Sequence, residues 1–551
     1  MKQLIDGKEM DISPEMEIPL TLVNPIFNDQ GSYGLGITLP GSQKNLENVG
    51  YQNRVWKQTT QRELPSSIEH GVLHLYGKAT LNRISKGGIE MDMMLGEGTL
   101  YNELSEKKLS EVVTKKITYA SNQDIFQAFD AATTTNNFEW VPFELCTKKE
   151  GDPGTEVLTI KNRAKEDGTY GTEADHASLV GYAPFLYLHY VLERIFTAFT
   201  LTMTENQFRI HDELKWLVLL NNAADLLVNR ELDYSRLCPD MTCLDLISCV
   251  EDKYGCRFLV DYNLRQVKCI FLNAVHDATD YLDLSAKLDG EMFPEFENKR
   301  KLRLTSATSL DTAAPANTDY KNWLQSSADE VEVSQLVMGN MKVYYIKKFG
   351  FFARRKLSAV PNMDIKSSSF FPYESDVDAE AVEITTQDEC VPTFFGGLDL
   401  IVQYDFFYPF FPVADKYFYQ APNEDESTLE PSHPTCPIAF CFYAGKISSI
   451  ALSIRPAGSS FRNANSSNTI SLDWIGSNGL YNNFYAKHDT WLQSVDKRVT
   501  CALTLSQEEI SSLRWDRKVI VDNAKFFIDR IELTLLQSGR IRVDNVYLLP
   551  A

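Results

Sequence analysis

The stretch that decides the fold reads Leu237-Cys-Pro-Asp-Met-Thr-Cys-Leu-Asp-Leu-Ile-Ser-Cys-Val-Glu-Asp-Lys-Tyr-Gly-Cys-Arg-Phe-Leu-Val-Asp261. Thr242 predicts a helix N-cap, and Asp245, three residues later, favours the positive end of the same helix. Gly255 follows the last predicted turn, where a left-handed capping residue is expected. The buried stripe of this helix is formed by Leu246, Ile247 and Val250.

The flanking residues extend this helix into one compact unit, Tyr182 to Asn273. Downstream, Arg257 to Val260 and Gln266 to Leu272 predict a β-hairpin. Upstream, Pro184 suits the first turn of a second helix. The apolar stripe of that helix is formed by Leu188, Val191, Leu192, Ile195 and Phe199. The predicted order is helix, strand, strand, loop, helix, strand and strand, with both helices on one face of a small sheet.

This unit resembles the hub and tail-associated proteins of tailed phages. The resemblance depends on the Pro239-Asp-Met-Thr242 step and on Lys253-Tyr-Gly-Cys-Arg-Phe-Leu-Val-Asp261 with its hairpin. It implies β-barrel-like domains around a central α/β unit, and a homotrimer whose barrels form a pseudo-sixfold ring. It also implies a structural virion protein at the tail tip. Such a ring would join the tail tube or distal tail protein to a spike or fibre and gate DNA ejection.

Length and composition predict several folded domains. A chain of 551 residues with 44% hydrophobic residues corresponds to roughly three to four domains. The expected class is α+β and mostly β, with antiparallel barrel-like domains. The predicted division is an N-terminal β domain (1–117), a helix with an exposed loop or hairpin (118–180), the central α/β unit (181–285), a second β domain (286–420) and a C-terminal β domain (421–551).

The sequence predicts synthesis in the host cytoplasm before assembly into the virion. It contains no apolar run long enough to span a membrane, and Met1 to Met10 lacks the apolar core of a signal peptide. Its ten cysteines include no Cys-x-x-Cys pair, so buried thiols are expected rather than metal ligands. Half of these cysteines lie in the central unit: Cys238, Cys243, Cys249, Cys256 and Cys269.

The charge distribution argues against tight binding of nucleic acid. The net charge is -21, so few phosphate contacts are expected, and DNA would pass without specific binding. The acidity is concentrated between Ser367 and Asp415, where no Lys or Arg occurs. This stretch is interpreted either as a solvated acidic loop or as a surface that faces passing DNA. A calcium loop at Asp376 to Glu380 is disfavoured, because Ala381 stands where an EF-hand needs glycine.

Alternating residues predict β structure on both sides of the central unit. Ser85-Lys-Gly-Gly88 marks a hairpin near the N-terminus, and the segments from Val519 to Leu549 predict a three-stranded meander. His70 and His74 lie close to the first hairpin. Two histidines without a third ligand are more often packing or surface residues than a metal site.

No motif indicates catalysis or a cofactor. The sequence lacks a Gly-x-Ser-x-Gly elbow, a Walker loop and a His-Glu-x-x-His helix, so we expect no enzymatic activity, cofactor or metal. Two alternatives stay open. Aromatic residues from Phe394 to Pro412, including Tyr404 and Tyr408, suit a glycan-binding receptor protein, a subunit contact or a plain β core. A polysaccharide depolymerase is the second alternative, although no carboxylate pair stands out in so acidic a chain.

Overall fold

The structure is a computed structural model in which strands account for 42% and helices for 25% of the residues. These proportions confirm the predicted α+β, mostly β class. No helix in the described part of the chain is long and apolar enough to cross a membrane. The described residues are 1–28, 31–54, 62–134, 138–149, 157–165, 167–171, 181–224, 226–306, 330–338, 341–346, 351–356, 372–389, 391, 410–414, 436–448, 454–460, 462 and 469–551.

The N-terminal region supplies one half of a 13-stranded sheet. Its strands pair antiparallel, and the hairpin predicted at Ser85 is confirmed, because the Ser85 hydroxyl accepts hydrogen bonds from the N–H groups of Gly87 and Gly88 at 3.2 Å. The strands are β1 (Lys2–Ile5), β2 (Lys8–Glu9), β3 (Glu17–Val23), β4 (Ser32–Pro40), β5 (Glu63–His70), β6 (Leu73–Ile84), β7 (Gly88–Leu95) and the separate β8 (Lys116–Thr118). The helices are α1 (Gln43–Asn48), α2 (Glu97–Ser105) and α3 (Leu109–Val112).

The region predicted as a helix with an exposed loop or hairpin is partly buried. It contains α4 (Asn122–Thr134), β9 (Trp140–Val141) and the antiparallel hairpin of β10 (Leu145–Lys149) and β11 (Val157–Lys161). Lys161 and Asn162 are fully buried. The Lys161 ammonium donates to the carbonyl oxygen of Asn221 at 2.9 Å, and the Asn162 amide donates to that of Ala183 at 2.6 Å. Exposure was wrongly predicted here, because polar composition does not distinguish solvated groups from buried groups that find backbone partners.

The central unit contains the predicted elements in their predicted order, preceded and interrupted by short strands and helices that were not predicted. Its helices are α5 (Leu188–Ala198), α6 (Gln207–Ile210), α7 (Leu226–Asn229), α8 (Cys243–Tyr254) and α9 (Leu272–Asp277). Its strands are β12 (Phe185–Tyr187), β13 (Thr202–Glu205), β14 (Leu217–Leu219), β15 (Glu231–Asp233), β16 (Cys256–Asp261), β17 (Gln266–Phe271) and β18 (Tyr281–Asp283). β13, β17 and β16 form the small three-stranded sheet.

The caps of α8 are confirmed in detail. The Thr242 hydroxyl accepts from the N–H of Asp245 at 3.1 Å, and the Asp245 carboxylate accepts from the N–H of Thr242 at 3.0 Å. This reciprocal pair satisfies two amide groups that the helix leaves unbonded. Gly255 ends the helix with φ of 51°, as a left-handed cap requires. The prediction for Pro184 was wrong, since it precedes the short strand β12 and α5 begins only at Leu188.

The remaining strands come from the second half of the chain. From the predicted second β domain they are β19 (Leu288–Phe296), β20 (Arg300–Ser306), β21 (Glu330–Met338), β22 (Met341–Ile346), β23 (Phe351–Lys356), β24 (Tyr373–Glu374), β25 (Glu380–Thr386) and β26 (Phe410–Ala414). The C-terminal strands are β27 (Phe440–Ser448), β28 (Ile454–Ser459), β29 (Lys497–Leu503), β30 (Lys518–Val521), β31 (Ala524–Leu536) and β32 (Ile541–Pro550). The helices are α10 (Ala486–Ser494) and α11 (Gln507–Ser511).

The two ends of the chain join in the large sheet. β3 pairs antiparallel with β31, from Glu17 opposite Leu536 to Val23 opposite Arg530. The main strand order is β19-β29-β32-β31-β3-β4-β7-β6-β5-β1-β2, with β30 and β18 attached beside β31. This path is open, and no closed barrel is found among the described strands. Buried side chains from its N- and C-terminal strands form one continuous core, while a second core surrounds the central unit.

The described part of the acidic stretch includes the paired strands β24, β25 and β26, and the turn between β24 and β25 leaves Asp376 and Asp378 exposed. β25 runs parallel to the basic strand β20, with Arg300 opposite Glu380 and Thr386 opposite Ser306. Arg303 contacts Glu383 at 2.7 Å, and Lys301 contacts Glu374 at 3.1 Å. Neither sequence interpretation anticipated this pairing, because the basic partners lie more than seventy positions earlier in the chain.

Candidate functional site

The central unit is fastened to the rest of the protein along a surface that we call the central seam. It is the contact of residues 181–285 with the large sheet and with residues 372–389 and 469–551. Three features define it, namely a charged cleft, a histidine–aromatic cluster and a buried ion pair.

The charged cleft lies between the β16–β17 hairpin and the large sheet and has a volume of about 400 Å³. One wall includes Leu259 and Tyr262 of the central unit, and the other includes Leu73 and Tyr76 of β6. Trp515 also lines it, so apolar and charged groups share the same space. A cleft of this size is in the range of small-molecule sites.

Asp516 is the centre of an ion network in this cleft. The Asp516 carboxylate contacts Lys268 of β17 at 3.2 Å and accepts two hydrogen bonds from the Arg514 guanidinium, at 2.8 and 3.2 Å. Burial alone would raise the pKa of Asp516, but the hydrogen bond from Arg514 and the charges of both cations lower it overall. Nearby, Arg517 contacts Asp280 at 2.7 Å. The loop before β30 is thereby tied to the central unit by charge.

The histidine–aromatic cluster joins four segments that are distant in sequence. His276 of α9 and His488 of α10 share a hydrogen bond between ring nitrogens at 3.0 Å. The rings of Phe27, Trp491 and Phe527 surround the pair, with the Phe27 and Trp491 centroids 4.9 Å apart. Burial, followed by the charge of Lys518, lowers the pKa of His276 to about 4. Burial likewise lowers the pKa of His488, so both rings are neutral at pH 7.

The buried ion pair connects α8 to the end of β25. Lys253 Nζ lies 2.7 Å from the Asp388 carboxylate, and the two side chains are only 1% and 2% exposed. The Thr386 hydroxyl also donates to Asp388, at 2.5 Å. The lysine ammonium lies 5.4 Å from the centroid of the Trp474 ring. Removing both charges from water costs free energy, and their mutual attraction offsets that cost only while both partners are present. A single charge left buried at this position would destabilise the fold.

A buried carboxyl group lies in the last turn of the same helix. Glu251 accepts a hydrogen bond from the N–H of Phe258 at 3.0 Å and another from the Tyr101 hydroxyl of α2 at 3.3 Å. Burial raises the pKa of Glu251 to about 7, although the charge of Arg257 opposes the shift. Glu251 therefore changes charge near neutral pH at the contact between α2 and α8.

The candidates weighed from the sequence do not gather into a site. His70 is buried and satisfied by the carbonyl oxygen of Leu536 at 2.8 Å and the Gln507 amide at 2.9 Å. His74 instead lines the cleft. Within the described ranges, no group of three His, Cys, Asp or Glu side chains is placed to hold a metal. Phe394, Phe395, Tyr404 and the other aromatics up to Tyr408 lie outside the described residues.

The cysteines of the central unit are packing residues, as predicted. All are free thiols, four are buried and Cys238 is partly buried. Burial raises the pKa of Cys243 to about 12, so its reactive thiolate form is scarce at neutral pH. Asp376 and Asp378 of the disfavoured calcium loop are exposed.

Sequence reasoning missed the residues that define the central seam. His276 and His488 lie 212 positions apart, and no local pattern indicates that they meet. Lys253 did carry a signal, because a lysine three positions after Val250 falls near the buried stripe of an amphipathic helix. A charged residue on an apolar face predicts a buried partner, although not which residue that partner is.

The charges of the central seam are matched within the protein. Asp516, Asp280 and Asp388 each contact a cation across the seam, and the two histidines bond to each other. Such an arrangement holds parts of a chain in a fixed relation.

Comparison with known proteins shows structural likeness without a match of sequence. No family model and no curated protein matches the chain. Among solved structures, the chain is similar to the 43 kDa tail protein of prophage MuSo2 from Shewanella oneidensis. The identity is 8%, the TM-score is 0.31, and the alignment covers 100% of this chain and 97% of that chain. At this identity and TM-score the likeness by itself defines neither fold nor function.

Proposed function

We propose that this chain is a structural protein of a phage virion, the hub at the tail tip. In this role it assembles as a homotrimer and connects the tail tube or distal tail protein to a spike or fibre. It gates DNA ejection mechanically and catalyses no reaction. The partners are therefore proteins and passing DNA, and no cofactor takes part.

The main support for the proposal is the way in which the central unit contacts the large sheet. The residues that resemble the hub family, Pro239 to Asp261 with the hairpin that ends at Phe271, form a capped helix followed by a hairpin, as expected. That unit is bound by ion pairs and by the packing of His276 against Phe527 to the strands and loops of a sheet that joins both ends of the chain. A ring subunit under mechanical load needs such cross-links, because a force on one segment is then shared by the whole subunit.

The charge of the chain supports the same role. A net charge of -21 disfavours the phosphate contacts through which proteins hold DNA. A conduit has to let DNA slide, so weak and repulsive contacts suit it better than binding.

Antibody labelling of purified virions tests the proposal. An antiserum against the whole chain, applied to intact particles with a gold-labelled secondary antibody, should mark the distal end of the tail. Particles treated with preimmune serum are the control. Labelling of capsids only, or absence of the chain from purified particles by mass spectrometry, would exclude a tail-tip role.

A further inference from the structure

The strand β19 forms an open edge of the large sheet. Among the described strands it pairs only with β29, from Leu288 opposite Leu503 to Phe296 opposite Lys497. The backbone groups on its other side have no strand partner in this part of the structure. Such an edge is a template onto which another chain can add a strand.

The face of the large sheet that packs on the core continues onto β19, where part of it is exposed. Pro294 lies directly opposite Val499, which belongs to the core under the sheet, so both are on the core face. Since side chains alternate along a strand, Met292 and Phe296 share that face with Pro294. Met292 packs against the core, whereas Phe296 is 85% exposed. Exposed apolar surface beside an open strand edge is suited to contact with another chain.

The rim of the same edge is acidic. Asp289, Glu291 and Glu295 are exposed, and β19 contains no lysine or arginine. None of the three carboxylates forms an ion pair within the described residues, in contrast to Glu297, which contacts Arg498 at 3.4 Å. A partner with basic side chains would therefore gain charge complementarity at this rim.

We propose that the β19 edge binds an extended segment of a different polypeptide that alternates apolar and basic residues. Its apolar side chains would cover Phe296 and Met292, and its basic side chains would meet the acidic rim. A second copy of this chain is a poor occupant, because each copy brings a net charge of -21. Pro294 lacks an N–H, so side-chain contacts contribute more than the backbone ladder. This inference does not depend on the tail-hub proposal.

Fluorescence anisotropy with the full chain tests it. The probe is a labelled peptide that alternates lysine and valine, compared with one that alternates glutamate and valine and with one of the same composition whose lysines are contiguous. We expect saturable binding of the first peptide only. Phe296→Ser should weaken that binding by about tenfold or more, while the matched uncharged control Phe293→Ser, on the opposite face and 61% exposed, should leave it unchanged.

Three outcomes would overturn the inference. Equal binding of the alternating and contiguous lysine peptides would show only general attraction to an acidic protein. Equal effects of Phe296→Ser and Phe293→Ser would show that the peptide does not contact the core face. Self-association that Phe296→Ser abolishes, measured by light scattering without peptide, would assign the edge to a second copy.

Discussion

Breaking the buried pair of Lys253 and Asp388 should destabilise the central unit far more than breaking an exposed pair of the same geometry. The two side chains are 1% and 2% exposed, so removing one partner leaves the other charge buried without compensation. Lys253→Met alone, or Asp388→Asn alone, should therefore cost about 3–5 kcal/mol. The double variant should recover most of that loss, because a neutral amide and a thioether replace both charges.

The matched control is the pair of Arg303 and Glu383. Its contact distance is also 2.7 Å, but the side chains are 45% and 60% exposed. Solvent screens such a pair, so Arg303→Met should cost about 0–1 kcal/mol. The two pairs share their contact distance and differ mainly in burial, which isolates desolvation as the cause.

Native-state hydrogen exchange is the assay, followed in the amides of α8 for the Lys253 and Asp388 variants and in the amides of β20 and β25 for the Arg303 variant. A chain of this size need not unfold in one step, and exchange reports the free energy of opening for each element separately. Equal losses at both pairs would refute the desolvation argument. So would a double variant whose loss equals the sum of the single losses.

Three further predictions concern pH and backbone geometry. Because the pKa of Glu251 is raised from 4.5 to about 7, its contribution to stability is full below pH 4.5 and is lost as the pH rises through 7. Glu251→Gln should therefore reduce the dependence of the thermal unfolding midpoint on pH between these values. An unchanged pH dependence would contradict the burial of this group. The pKa of His276 is lowered from 6.5 to about 4, so its contribution to stability is full above pH 6.5 and is lost as the pH falls toward 4. The double variant His276→Phe, His488→Phe should unfold at a lower pH than the parent when acid unfolding is followed by circular dichroism. Unfolding at the same pH would count against the proposed role of the cluster. Gly255→Ala should cost more stability than Gly7→Ala in chemical denaturation, because both glycines have positive φ, of 51° and 71°, but a Cβ at Gly255 would lie 3.0 Å from the carbonyl oxygen of Phe484, whereas a Cβ at Gly7 would meet nothing within 4 Å; equal losses would show that the Phe484 contact relaxes freely.

Local signals in the sequence predicted the elements but not their partners. The caps of α8 at Thr242 and Gly255 depend on residues within a few positions, and both are confirmed. The hairpins at Ser85 and after Asp522 follow from turn residues in the same way. These features are short-range, so periodicity and turn chemistry suffice to place them.

The sequence did not predict which distant segments of the chain pair with each other. Nothing near Glu17 indicates that β3 pairs with a strand ending at Leu536. The acidic stretch was interpreted from its charge alone, whereas Glu383 contacts Arg303 of a parallel strand. The residues of the central seam are likewise brought together by tertiary packing. A single sequence shows which residue types are available for such contacts, but it does not indicate which residues pair.

The mass of the purified protein in solution tests the central claim most directly. A tail-tip hub that forms a ring should give a single species by light scattering at three times the chain mass of 62.6 kDa. Electron microscopy of that species should show a central channel. A monomer of 62.6 kDa at every concentration, which also fails to form rings when purified tail-tube protein is added, would contradict the account.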